Sequence, residues 1–451
     1  MLFGVPGLNR ILISILALVT ASVTIISCGS SSAPSTNKGP SKLKFRAFVS
    51  NPLFPSGTGG NLPVLNIVDA SQDVLSPSLI PLAGNSAQPG LMALSPNLEF
   101  TMIFSASGDS VTLIDNATEG IAQTTTGTSS TPVPAINLPG FTESMFIGNA
   151  NTTAYAAVPT APIIGQAPGA VEVLNLQNGS IAASIPVPGA HFIVPSPDGN
   201  HILVFSDNSD TVTVITTILV GTNTDPRSSI TGFDHPVWGI FSDNATAYIL
   251  NCGPQCGGIA AGVSLLAGGF PAPGTTVPFS GTTIPVSGAT MGLVSAGALY
   301  VAGTAPATAC GSGTAATSCG KLSVIDTGSM TVTGSAIITD GYHDRLQISQ
   351  DGQLFIGARG CTNINISGGE VRGCLSIFNT KSSKVVIPPQ IGDVTGIQPI
   401  TGRTVVYVVQ NGGLGIYDTT TDKLQVTPTN SLNTNGQVDI VGQPFDVKLV
   451  D

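Results

Sequence analysis

Apolar residues in this chain fall at alternate positions in short runs bounded by Gly, Pro, Asn and Asp, the spacing of strands with one face buried rather than of helices. One form of the run returns eight times: aliphatic, small or polar, aliphatic, apolar, then usually Asp or Asn. The copies begin at Leu65, Val111, Val171, Val212, Val263, Leu322, Leu375 and Leu414, so that Ile67 and Ile416 are 349 residues apart over seven intervals. Before each copy lies a second apolar run, such as Ala47-Phe48-Val49-Ser50-Asn51, Ala247-Tyr248-Ile249-Leu250-Asn251 or Val405-Val406-Tyr407-Val408-Val409. Further upstream come turns such as Ser196-Pro197-Asp198-Gly199 and Ser349-Gln350-Asp351-Gly352. Asp and Asn tolerate left-handed backbone and Gly adopts it freely, so these turns suit hairpins.

A repeat of about 50 residues matches a four-stranded propeller blade. A twisted blade exposes two apolar faces, and only a neighbour on each side covers both, so the blades must close into a ring. The first run at 45–51 has no strand before it, and Gly442-Gln443-Pro444-Phe445-Asp446-Val447-Lys448-Leu449-Val450 reads as a first strand with none after it. The C-terminal strand is therefore expected to complete the first blade and remove the open edges. The pattern predicts an all-β fold, a single propeller over 45–451. The count is eight blades, or seven if 218–290, with its Gly- and Pro-rich stretch Ala267 to Gly288, holds less than one blade.

Composition agrees: there are 54 Gly and 33 Pro, and charged residues make up only 9% of the chain. A net charge of −10 with 15 Lys and Arg leaves no basic stripe, which excludes nucleic acid as a partner. Ahead of the repeats, an apolar run from Ile11 to Val19 follows Arg10, and a low-complexity stretch occupies 29–44. Residues 11–27 are also apolar enough for an uncleaved transmembrane helix.

Two resemblances add to this reading. Ala47-Phe48-Val49-Ser50-Asn51 and Ala247-Tyr248-Ile249-Leu250-Asn251 resemble the Tyr-Val-Thr-Asn repeat of bacterial surface propellers, and the resemblance extends over roughly 43–451. Ile25-Ile26-Ser27-Cys28 resembles a bacterial lipobox. This implies a lipoprotein signal peptide at 1–28, lipid on Cys28, and a flexible tether at 29–44 holding the ring off a membrane. Gly29 rather than Asp after the Cys fits sorting to the outer membrane, with the protein in the cell envelope facing the periplasm or the exterior.

Apart from Cys28, the cysteines form three local pairs: Cys252 with Cys256, Cys310 with Cys319, and Cys361 with Cys374. Each pair lies between the second and third strands of successive blades. In an exported chain this reads as three disulfides, each clipping one loop. Cys252-Gly253-Pro254-Gln255-Cys256 also has a metal-like spacing, but zinc would need two further ligands from elsewhere.

Candidate chemistry is sparse. His191, His235 and His343 each stand near the opening of a first strand, and first strands line the channel. With Asp344, Arg345 and Glu143 they could converge at one mouth, where imidazole could hold a divalent metal or move protons. Their plainer role is as turn residues bonded to neighbouring loops. Trp238, the single Trp, is expected to pack between blades. There is no Gly-x-Ser-x-Gly elbow, His-Glu-x-x-His or phosphate loop. No cofactor is expected. These features lean away from an enzyme and towards a monomeric binding or scaffold lipoprotein that presents rigid loops to a protein or glycan. The alternatives are a lactonase-like hydrolase, by fold-level analogy to other propellers, and a structural surface-layer protein.

Overall fold

The computed structural model describes residues 40–451 except 56–60, 83–88, 127–128, 307, 309, 311–317, 363–364, 367–369, 372 and 426–435. The expected signal segment, Cys28 and the tether up to residue 39 lie outside the described residues.

Eight antiparallel sheets, each built on four strands, form an eight-bladed β-propeller. The eight repeated runs are the eight third strands, from Asn61–Asp69 in blade 1 to Gly413–Asp418 in blade 8. The first strands are Val447–Leu449, Pro89–Leu94, Ser144–Ile147, Ala190–Pro195, Pro236–Phe241, Met291–Ser295, Tyr342–Ile348 and Val394–Pro399. Each touches the next around the circle, including Val447–Leu449 with both Val394–Pro399 and Pro89–Leu94, so the ring is closed.

The alternation in each strand sends side chains to both faces of its blade, and the core consists of separate layers between neighbours. Phe48, Leu65, Ile67, Met92, Ile103 and Ile114 fill the gap between blades 1 and 2. Phe355, Ile377, Val406 and Tyr417 do the same between blades 7 and 8. Three of the hairpin turns between first and second strands, in blades 2, 4 and 7, share one device: the Ser95, Ser196 and Ser349 hydroxyls accept the backbone N–H groups of Phe100, His201 and Gln353.

Closure runs through blade 1 as the pattern requires. Ala47, Phe48 and Val49 pair with Leu449, Lys448 and Val447. Arg46 donates Nε and Nη2 to the Asp451 carboxylate at 2.6 Å each, and Nη1 to Glu119 at 2.9 Å. Asn51, at the Asn of the repeat, accepts from Gln443 N and donates to Val441 O and Asn66 Oδ1. Blade 8 is tied to blade 1 as well, where Arg403 forks onto the buried Asp73, which also accepts the Tyr407 hydroxyl.

The stretch 218–290 holds a whole blade. Its patterning is obscured because Thr276–Pro278 runs back to pair in parallel with Arg227–Thr231, the fourth strand of blade 4, before Thr283–Pro285 completes blade 5. Phe270 and Phe279 pin this strap on Phe241 and Phe233.

The ring has two unlike faces. One carries the turns between first and second strands. The other carries the connections into each first strand and the loops between second and third strands, including all three clipped loops: disulfides join Cys252 to Cys256, Cys310 to Cys319 and Cys361 to Cys374.

Candidate functional site

First strands converge on an axial channel with a cavity of about 310 Å³ to which all eight blades contribute, Leu91, Met145, Trp238, Met291, Ile397 and Lys448 among its walls. On the face of the hairpin turns it opens into a wide, largely apolar funnel of about 990 Å³. Towards the clipped-loop face it narrows into a charged plug. Trp238, expected between blades, packs against the layer between blades 5 and 6 and also faces the channel, edge-on to Phe192.

Register decides which residues reach the plug. In blades 2, 4, 5, 7 and 8 the first strand carries one extra residue relative to the second, in blade 2 between Pro89 and Met92. His191 is extra between Ala190 and Phe192, Val237 between Pro236 and Trp238, Asp344 between His343 and Arg345, and Thr395 between Val394 and Gly396. Bulges of this kind re-aim one side chain. The residue equivalent to His191 in blade 7 is therefore Asp344, not His343, and in blade 5 it is Val237, not His235. The three histidines look alike in sequence but do not occupy one position.

The structure brings together Glu143, His191, Asp344 and Arg345, with Asp207 and Arg359 added. His191 Nδ1 lies 2.7 Å from Asp207 Oδ1 and its Nε2 3.0 Å from Glu143 Oε2. Glu143 Oε1 is 3.1 Å from Arg359 Nη1, a contact that crosses the channel from blade 3 to blade 7. Arg359 Nε is 2.6 Å from Asp344 Oδ2, close enough for an ion pair though outside hydrogen-bonding geometry, and neither Asp344 oxygen has a hydrogen-bond partner. Arg345 Nη1 stands 3.4 Å from the same oxygen, and its Nε donates to Thr395 O.

Electrostatics follow from this arrangement. Burial alone would lower His191, but hydrogen bonds to Asp207 and Glu143 outweigh it and raise its pKa to about 9. The His191 hydrogen bond, aided by Arg359 and opposed by burial, holds Glu143 at about 2. Burial pushes Asp344 above the usual carboxylate range despite the two guanidinium groups. At neutral pH His191 is an imidazolium with both nitrogens committed, a state in which it is neither a metal ligand nor a general base.

His343 is not part of this cluster. It is fully buried, donates Nε2 to Thr339 O, and is held neutral by burial with its pKa lowered to about 4. His235 stands at the rim beside Asp210 and Asp234. Next to the plug, a cup of about 270 Å³ is walled by Phe104, Phe141, Phe192 and Phe445, with Arg345 and Arg359 at its base. The sequence reading missed Asp207 and Arg359. Both lie where a second strand reaches this face, so polar residues at the ends of apolar second strands are the signal that marks them.

A direct test is a histidine-selective NMR titration. His191 is expected to titrate near pH 9, and in Glu143→Gln to move clearly towards its ordinary value near 6.5. The stability it supplies is fully present below about pH 6.5 and is lost as pH rises through about 9. An unshifted His191 would remove the ion-pair account of the plug.

No family model matches the sequence, and no curated protein matches it. Among solved structures, the dihydro-heme d1 dehydrogenase NirN, in complex with DHE, aligns with a TM-score of 0.56 and 13% identity over 92% of this chain and 76% of that one. A functionally unknown protein from Desulfotomaculum acetoxidans aligns at 0.48 and 12%, over 90% of this chain and 98% of that one. The periplasmic gluconolactonase of Pseudomonas aeruginosa aligns at 0.45 and 14%, over 90% and 99%. The likeness to NirN, a β-propeller protein, at 13% identity agrees with the β-propeller fold of this chain and says nothing about its chemistry.

Proposed function

We propose that this chain is a non-catalytic binding or scaffold lipoprotein of the cell envelope, a monomeric ring that presents its clipped-loop face to a protein or glycan partner. The observation that carries this reading is where the chain joins the ring. Ser41 bonds Glu119 through its N–H and hydroxyl, and Arg46 lies beside Asp451, both on the face of the hairpin turns. A lipid on Cys28, in the outer membrane, would then turn the funnel towards the membrane and the disulfide-clipped loops, the aromatic cup and the charged plug away from it. Loops clipped by disulfides lose little entropy on binding, which favours recognition by a preformed surface. The plug supports the same reading, since its histidine is bound as a cation instead of being poised for catalysis.

The test uses exposed apolar residues on both faces. Phe141 and Ile259 stand on the clipped-loop face and Ile218 on the other; all three are well exposed. The full-length protein, immobilised through its N-terminus, is expected to retain a protein or glycan from an envelope extract, to lose it in Phe141→Asp or Ile259→Asp, and to keep it in Ile218→Asp. Loss in Ile218→Asp alone would place recognition on the wrong face, and lactone hydrolysis abolished by His191→Ala would replace the reading with a catalytic one.

A further inference from the structure

We infer that Asp210, Asp234 and His235 form a site for a divalent transition metal of the zinc class at the rim of the clipped-loop face, distinct from the charged plug. His235 Nδ1 lies 3.3 Å from Asp210 Oδ1 and 3.6 Å from Asp234 Oδ1. Bonds of about 2.0–2.1 Å to zinc place neighbouring tetrahedral ligand atoms about 3.3–3.4 Å apart, close to the spacing of His235 Nδ1 from each carboxylate, and all three ligand atoms lie within 4.8 Å of one another. His235 Nδ1 itself is shut off from solvent and has no hydrogen-bond partner, although two carboxylates face it. A buried ring nitrogen left without a partner costs stability unless something fills the gap, and a cation between it and the carboxylates does so.

The surroundings hold the ligands in place. Asp234 accepts Ile259 N at 2.9 Å and Ala260 N at 2.6 Å, which fixes its carboxylate plane as outer-shell donors do in metal sites. Those donors belong to the loop that begins at the Cys252–Cys256 clip, and Cys252 N donates to His235 O. Gly258 stands so close that a Cβ there would meet Asp234 Oδ1 at 2.0 Å, so no other residue leaves room for the carboxylate. Asp210 Oδ1 accepts the His235 N–H at 3.1 Å, holding His235 at a φ of +51°, which few residues other than glycine adopt. Two carboxylates and one imidazole give a hard, mixed oxygen and nitrogen set that suits zinc or manganese over calcium. Of the three ligands, His235 also lines a neighbouring cavity of about 180 Å³, together with His191, Asp207 and Tyr342.

The experiment is zinc binding by the full-length protein purified in detergent without a histidine tag, read by calorimetry and by metal content after dialysis. One equivalent of Zn²⁺ is expected at micromolar or tighter affinity, weakened at least about tenfold in His235→Asn and in Asp210→Asn. Asn tolerates the left-handed backbone at 235, and Asn at 210 keeps an oxygen for the His235 N–H. Both variants should therefore melt like the wild type in chelator, and only the wild type should gain melting temperature with Zn²⁺. Were either variant to misfold, ¹¹³Cd NMR of the wild type would still decide, a resonance in the nitrogen and oxygen range supporting the site. No stoichiometric zinc, zinc held equally by His235→Asn, zinc held only after thiol reduction, or a thiolate-range ¹¹³Cd signal would each overturn it.

Discussion

Removing Val447 to Asp451 is expected to unfold the whole ring and not merely fray one edge. Val447, Leu449 and Val450 are almost completely buried, the first two between blades 8 and 1 and the third between blades 1 and 2. At roughly 1.5–3 kcal/mol for each buried aliphatic side chain, their loss costs about 5–9 kcal/mol. Truncation also strands the buried Arg46, which loses three hydrogen bonds to Asp451, one from its backbone N–H and two from its guanidinium, and keeps Glu119 and Asn116 O. Leaving a buried cation partly unpaired adds a cost of its own. A domain is typically stable by only about 5–15 kcal/mol, so these losses exhaust it. Hydrogen exchange should show protection lost in all eight blades together. Wild-type melting, with new exchange confined to Arg46–Pro55, would mean that the ring does not depend on its seal.

The sequence pattern carried the ring because blade architecture is written in alternation. All eight repeated runs became third strands, and the unpaired runs at the two ends found each other, because an apolar face on either side of a blade leaves one way to be buried. The Gly- and Pro-rich stretch near 267–288 was illegible for a physical reason: Thr276–Pro278 pairs with the neighbouring blade, and a three-residue parallel strand leaves no alternation to detect. The site was half legible. Glu143, His191, Asp344 and Arg345 do meet, but the equivalence drawn between His191, His235 and His343 failed at the bulges. One extra residue turns a side chain from the channel to the core, and the sequence around Ala190-His191-Phe192 does not announce it. Arg359 and Asp207 come from a different strand of the blade, so only the folded ring sets them beside His191 and Asp344.

Arg359→Ala is expected to destabilise the protein by about 2–4 kcal/mol at pH 7 and by clearly less near pH 4, the figure set at the low side of a buried pair because the Arg359 side chain is 34% exposed. Arg359 faces two carboxylates from opposite sides of the channel. Glu143 keeps His191 when the guanidinium is gone. Asp344 keeps only Arg345 at 3.4 Å, in a place where burial already raises its pKa. A carboxyl group whose folded pKa is raised is favoured protonated, so it costs stability as pH climbs past the usual carboxylate range and costs little below it. Losing Arg359 enlarges that cost, which is why the variant should recover in acid. Adding Asp344→Asn removes the charge and should restore much of the loss, with a coupling of about 1–3 kcal/mol between the two positions in denaturant unfolding. If the loss were independent of pH and untouched by Asp344→Asn, Arg359 would be acting through the packing of its stem over the aromatic cup. The pH dependence therefore separates a charge-balanced plug, three acids against two arginines and the His191 imidazolium, from a steric one. A balanced plug offers a partner paired charges at the centre of its face, so a partner that docks there gains by matching both signs and loses by presenting only one.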